Sequence, residues 1–293
     1  MKVDVTAAKN ISEVLGMAKL DYNVVTRPVY DNEGRRIDGY QAVTRESDSH
    51  IFSIMGDRYV PMQNIEAFSS LDELGLRYVS AGSFGGKTFV QAQLPGEIKV
   101  AGMDTINKLL TFVNSYDGSV SISLFLTLVR IVCQNTLMMA LQRGEYLIRA
   151  KHTQTAKLKF KNAKELFEVV NLQVEGVTKV YDTLIKTPMK LATVDEFLKE
   201  LFIGEKVVEA NIPTKTLNKM DRIKFLFENG KGADMHRGTA WGLYNAISEY
   251  TDHEANTRGS ESKEESRLVS SMFGSGAKLK EESFSKLLEL VNV

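Results

Sequence analysis

The chain of 293 residues has a single cysteine, Cys133. That excludes an intramolecular disulfide and any zinc site built on several thiolates, and it fits a reducing compartment. A membrane-spanning run is missing as well. The most apolar stretch, Val120 to Val132, is shorter than the ~20 residues a bilayer helix needs and carries Arg130. The opening MKVDVTAAKNISEVLG mixes charges into its apolar positions and holds no signal-peptide core. Net charge is absent too, since Lys+Arg and Asp+Glu both total 37. The global balance therefore gives no reason to expect a polyanion or a membrane surface as partner. The histidines, His50, His152, His236 and His253, form no His-x-x-x-His or His-Glu-x-x-His arrangement. Asp48 with His50, and Asp252, His253 and Glu254 together, read as surface polar groups. These absences set the expectation of a soluble cytoplasmic protein with no metal, no cofactor and no membrane partner.

Ordinary globular composition is what remains, with 43% hydrophobic and 25% charged residues, enough to bury a sizeable core. Ile11, Val14, Leu15 and Ala18 predict a short helix over 8–20. Beyond Asp21 the pattern becomes strand-like. NVVTRPVY, YQAVTRE and HIFSIMG are predicted strands, with Asp31 to Gly34 as the tip of a hairpin. Asn64 is predicted to cap one helix, IEAFSSLDEL, which Gly75 ends. RYVSAGSF and KTFVQAQL form a predicted hairpin around Gly85-Gly86. A break at Pro95-Gly96 precedes EIKVAG, KLLTFVNSY and SVSISLFLTLVRIV. CQNTLMMALQRG reads as a helix.

Past residue 160 the apolar period changes from 2 to 3.6. Ala163, Leu166, Val170, Val174, Val177, Tyr181 and Leu184 predict one long helix that Pro188 ends. Thr193 and Glu196 have capping-box spacing. DRIKFLFENG, TAWGLYNAISEY and roughly 278–291 are further predicted helices, and the polar stretch 254–266 is a predicted exposed loop. The expected fold class is α+β: an antiparallel β-rich half, 1–150, packed with a mainly helical half, 151–293.

Ala81 to Thr88 matches a relaxed phosphate-loop pattern. That geometry needs a helix after Thr88, and Phe89 to Leu94 alternate as a strand, so a Gly-Gly hairpin turn is expected. Cys133, His152 and Asn135 contain the residue types of a nucleophile triad, but Cys133 lies in an apolar run, as a buried thiol does. No catalytic residue is assigned. Asn114-Ser-Tyr-Asp-Gly-Ser119 is turn-forming, yet Asn114 and Tyr116 exceed what a turn requires. With Asn135 they make a candidate polar binding site. Local charge is more informative. Residues 143–164 hold Arg143, Arg149, Lys151, Lys157, Lys159, Lys161 and Lys164 against Glu145, which is +6 in 22 residues on a neutral chain. Such a segment suits a phosphate backbone, and Tyr146, His152 and Phe160 within it suit stacking on bases. The competing expectation is a solvated basic stretch answered by acids elsewhere.

Several stretches together resemble the phage/plasmid-like protein family catalogued as domain of unknown function 932. They are Leu20-Asp-Tyr22, Gly56-Asp-Arg-Tyr59, Asn114 to Ser119, Arg130-Ile-Val-Cys-Gln-Asn-Thr-Leu137, His152-Thr153, and Ala240-Trp241 with Asn245, Tyr250 and His253. The resemblance implies a gene of a bacteriophage, prophage or plasmid and brings no agreed activity. Three functions follow, in order. The first is single-strand nucleic-acid binding or annealing in replication or recombination by a homo-oligomer. Arg130, Arg149, Lys151, Lys157, Lys159 and Lys161 would contact phosphates there, and Tyr146 or His152 would stack on bases. The second is a non-enzymatic protein that binds and modulates a host protein machine. The third is an enzyme using the Gly-rich turn or Cys133.

Overall fold

The computed structural model describes residues 2–84, 86–100, 102, 104–130, 136–137, 148–150, 163–204, 212–232, 234–257 and 263–291. The chain divides into two compact units. One comprises 1–95, 109–126 and 145–170, the other 96–108, 127–144 and 171–293.

The chain opens with strand β1 (Lys2–Asp4) and helix α1 (Ile11–Met17). The Asn10 side chain accepts from the Glu13 N–H and so caps α1, which buries Ile11, Val14 and Leu15. Strands β2 (Val24–Tyr30), β3 (Arg36–Arg45) and β4 (Ile51–Gly56) form a three-stranded antiparallel sheet in chain order. The single helix expected at 65–74 is two, α2 (Asn64–Phe68) and α3 (Ser70–Glu73), divided at Ser69. Its cap is Gln63 rather than Asn64, whose side chain is buried.

Strands β5 (Arg77–Phe84), β6 (Lys87–Val100), β7 (Asp104–Ser115), β8 (Ile122–Arg130), β9 (Thr136–Leu137) and β10 (Ile148–Ala150) follow. With β1 they make a seven-stranded sheet ordered β1-β5-β6-β7-β8-β10, with β9 also on β8. The β5–β6 register runs from Arg77 opposite Gln93 to Phe84 opposite Lys87, the predicted Gly-Gly hairpin. The expected break at Pro95-Gly96 does not occur, and β6 passes through both residues. Gly96 takes φ +72, which bends the strand without ending it, and Pro95 lies at an exposed position. Of the predicted helix 133–144, only Thr136 and Leu137 are described. They are extended and pair antiparallel with Val129 and Leu128.

Helices fill the C-terminal part: α4 (Ala163–Lys186), α5 (Leu191–Phe202), α6 (Thr214–Asn229), α7 (Ala240–Glu249), a π-helical turn (Tyr250–Glu254), α8 (Lys263–Phe273) and α9 (Ser275–Leu290). The predicted stripe on α4 is buried at Val170, Val177, Tyr181 and Leu184, and Pro188 follows its end. Thr193 does not cap α5. Lys190 is the cap residue and its carbonyl already accepts from Val194 N, so Thr193 lies inside the helix. The polar stretch 254–266 is a loop only in part, because α8 begins at Lys263. The α+β class holds, with antiparallel sheets in the N-terminal half and helices in the C-terminal half.

Each unit has its own aromatic core. In the first, Val24, Val43 and Tyr116 are buried with Tyr22, Phe52, Met55 and Tyr59 against them. In the second, Trp241 lies 4.4 Å from Tyr181 between ring centroids, and Phe284 lies 5.0 Å from Tyr244.

Candidate functional site

The Asn-Ser-Tyr-Asp-Gly-Ser stretch ends β7 and turns toward β8, beside the β5–β6 hairpin. Two glycines allow the approach. A Cβ on Gly86 would sit 2.6 Å from the Asp117 Cβ. Gly118 has φ +72, and a Cβ there would meet the Met55 Cε at 2.2 Å. With the backbones this close, Tyr116 N donates to Gly86 O at 2.7 Å. Lys87 Nζ reaches Asp117 Oδ2 at 3.0 Å. The other carboxylate oxygen, Oδ1, accepts from Ser115 Oγ at 2.6 Å, Ser119 N at 3.0 Å and the Ser119 hydroxyl. Burial pushes the Asp117 carboxyl up, but the Ser115, Ser119 and Lys87 hydrogen bonds outweigh it and hold the carboxyl at about 2.

One layer deeper, Asn64 Oδ1 accepts from Thr88 Oγ1 at 2.9 Å, Asn114 Nδ2 at 3.0 Å and Tyr116 OH at 3.0 Å. Asn64 Nδ2 donates to Leu20 O at 2.9 Å, and Asn114 Nδ2 also donates to Met62 O at 3.0 Å. Ser53 Oγ donates to Tyr116 O at 2.7 Å, and Tyr59 OH to Ser115 O at 3.1 Å. Burial raises the Tyr116 and Tyr59 phenols above their ordinary range. The motif thus ties α2, β4, β6 and β7 of the first unit together. Asn114 and Tyr116 are fully buried, so a ligand reaches neither without displacing these bonds. The Gly-rich turn is committed in the same way. Lys87 faces Asp117, Thr88 is bonded to Asn64, and β6 follows where a phosphate loop would need a helix.

The predicted nucleic-acid residues are placed only in part. Arg130 is the last residue of β8, and Arg149 sits on β10 opposite Ser123. Tyr146, Lys151, His152, Lys157, Lys159 and Lys161 lie outside the described residues, as do Asn135 and Cys133. Among the described residues β10 is a terminal strand of the sheet order.

Residues 51–273 match the family described as Domain of unknown function (DUF932). The chain belongs to this family. Its matched span includes the Asn114–Ser119 motif and the whole basic segment 143–164 of this DUF932 chain. No curated protein and no solved structure matches it.

Two buried polar clusters of the second unit escaped the sequence reading. Lys280 is wholly buried. Its Nζ donates to Asp252 Oδ1 at 2.8 Å and to the Ser271 hydroxyl, which also donates to Asp252. Burial lowers the Lys280 ammonium pKa, against the pull of Asp252. The only signal was a lysine in the Gly276, Lys280, Ser283, Phe284, Leu287 stripe of α9. The second cluster joins Asp104 to Trp241, whose Nε1 donates to Oδ2 at 3.1 Å, with His236 4.0 Å away. Among the described residues, no group of three or more His, Cys, Asp or Glu is placed to hold a metal, and no helix is long and apolar enough to cross a membrane.

Proposed function

We propose that this DUF932 protein binds single-stranded nucleic acid without catalysis, serving replication or recombination of a phage or plasmid in the host cytoplasm. One observation supports the reading most. A segment carrying +6 in 22 residues stands on a chain of zero net charge, and its strand Ile148–Ala150 pairs with β8. Charge concentrated this way neutralises phosphates locally while the rest of the surface repels them. Arg149, Lys151, Lys157, Lys159 and Lys161 contact phosphates in this reading, with Arg130 contributing from the end of β8. Tyr146 and His152 stack on bases, which is sequence-tolerant and suits single strands.

Fluorescence anisotropy with a labelled single-stranded oligonucleotide and an unlabelled duplex competitor tests this. Binding that the duplex fails to displace, and that Lys157/Lys159/Lys161→Ala weakens, is expected. A duplex that competes equally would replace single-strand recognition with a general phosphate attraction.

A second reading, docking on a host protein, draws on α4, where Val169 and Leu172 are exposed apolar residues. Leu172→Glu would abolish capture of that partner and leave oligonucleotide binding intact.

A further inference from the structure

The three-stranded sheet carries an exposed apolar cluster on one face, which Arg27 opposite Ala42 also shares, and has one open edge among the described residues. The register sets Ala42 opposite Ile54 and Thr44 opposite Ile51. Opposed residues share a face, so Tyr40, Ile51 and Ile54 lie together, on the side away from Val43. Their exposures are 55%, 58% and 57%. Three half-exposed side chains of this size present on the order of 300 Å² of apolar surface, comparable to the largest patch a monomer ordinarily leaves open.

The two edges of this sheet differ. On β2, Val24 N donates to Gln63 Oε1 at 2.9 Å and Gln63 Nε2 donates to Val24 O at 2.8 Å. The same strand carries Arg27 and Pro28, and proline has no N–H to offer. That edge is closed by the devices that ordinarily prevent strand addition. Strand β4, Ile-Phe-Ser-Ile-Met-Gly, has neither charge nor proline. Beyond its ladder with β3, no backbone group from Ile51 to Met55 has a hydrogen-bond partner among the described residues.

We infer that a second copy of this chain docks here, β4 against β4, antiparallel about a two-fold axis at Ile54. Three arguments select a second copy. First, with the β2 edge closed, two copies that join through this sheet do so by β4 on both sides, and such an isologous contact closes as a dimer. Second, centring the pair on Ile54 keeps each apolar residue on the outer face. It also brings the Arg58 end of one strand beside the Asp48 end of the other, twice, and both residues are exposed. Third, the pairing satisfies the open backbone groups of both β4 strands and sets the two Ile54 side chains directly beside each other across the axis. The inference is independent of nucleic-acid binding, and its test contains no nucleic acid.

Sedimentation velocity of the full chain at micromolar concentration should show a dimer. Ile54→Lys sets two ammonium groups directly opposite each other and should give a monomer. Its circular dichroism should be unchanged, because the position is exposed, while its melting temperature should lose the concentration dependence that a dimer gives the wild type. In a Cys133→Ser background, Ile54→Cys should form a covalent dimer on mild oxidation, since opposed Cα atoms lie ~4.5–5.5 Å apart in an antiparallel pair. A monomeric wild type, a dimer that survives Ile54→Lys, or a dimer with no cross-link at position 54 would overturn the inference.

Discussion

Asn64 and Asn114 show how single side chains hold the first unit together. Asn64 Oδ1 accepts from three side chains, and the Asn114 amide satisfies both Met62 O and Asn64. Asn114→Ala removes those bonds and takes away the oxygen to which the buried Ser115 N–H donates, so a loss of about 3 kcal/mol is expected in urea unfolding. Asp117 makes a separate, pH-dependent prediction. Its carboxyl is held at about 2 in the folded chain, below the ~3.9 of an unfolded aspartate. A depressed pKa stabilises the fold above the unfolded value, and the contribution is lost as pH falls toward the folded value. The melting-temperature gap between wild type and Asp117→Asn should therefore be wide at neutral pH and close under strong acid. The sequence marked Asn114 and Tyr116 as exceeding the needs of a turn. It did not show Asn64 as their partner, because 50 residues separate Asn64 from Asn114 and no local pattern links them.

At the scale of elements, period was legible and interruption was not. The 3.6-residue stripe of α4 and the alternation of β5 and β6 are one-dimensional signals, and both elements formed where they were expected. Pro95-Gly96 looked like a stop, yet β6 continues through both residues, beyond the end of its pairing with β5 at Gln93. Ser69 divides a helix that its residue types would have continued. The turn after β7 depends on Gly118, so Gly118→Ala, which forces a side chain onto φ +72 and against Met55, should cost about 1–2 kcal/mol. Helix α9 depends on a different device. Lys280→Met takes the ammonium away from Asp252 inside the second unit and should destabilise by about 3 kcal/mol or more. Adding Asp252→Asn should recover part of the loss, as urea midpoints of the single and double variants would show.

At the scale of the whole molecule, composition was the best guide to class and the weakest to chemistry. Balanced charge hid a basic segment that only a local count reveals. The antiparallel sheet and the helical C-terminal half emerged from periodicity alone, whereas the buried Lys280 and Asp104 clusters arise from contacts across 28 and 137 residues. The proposed role of residues 143–164 is to track a phosphate backbone. The decisive measurement is single-stranded DNA affinity as a function of salt, by anisotropy. With about six phosphates contacted, log affinity should fall linearly with log salt at a slope of about −4, and Lys157/Lys159/Lys161→Ala should reduce that slope by about 2. No binding at low salt, or a slope that the triple substitution leaves unchanged, would contradict it.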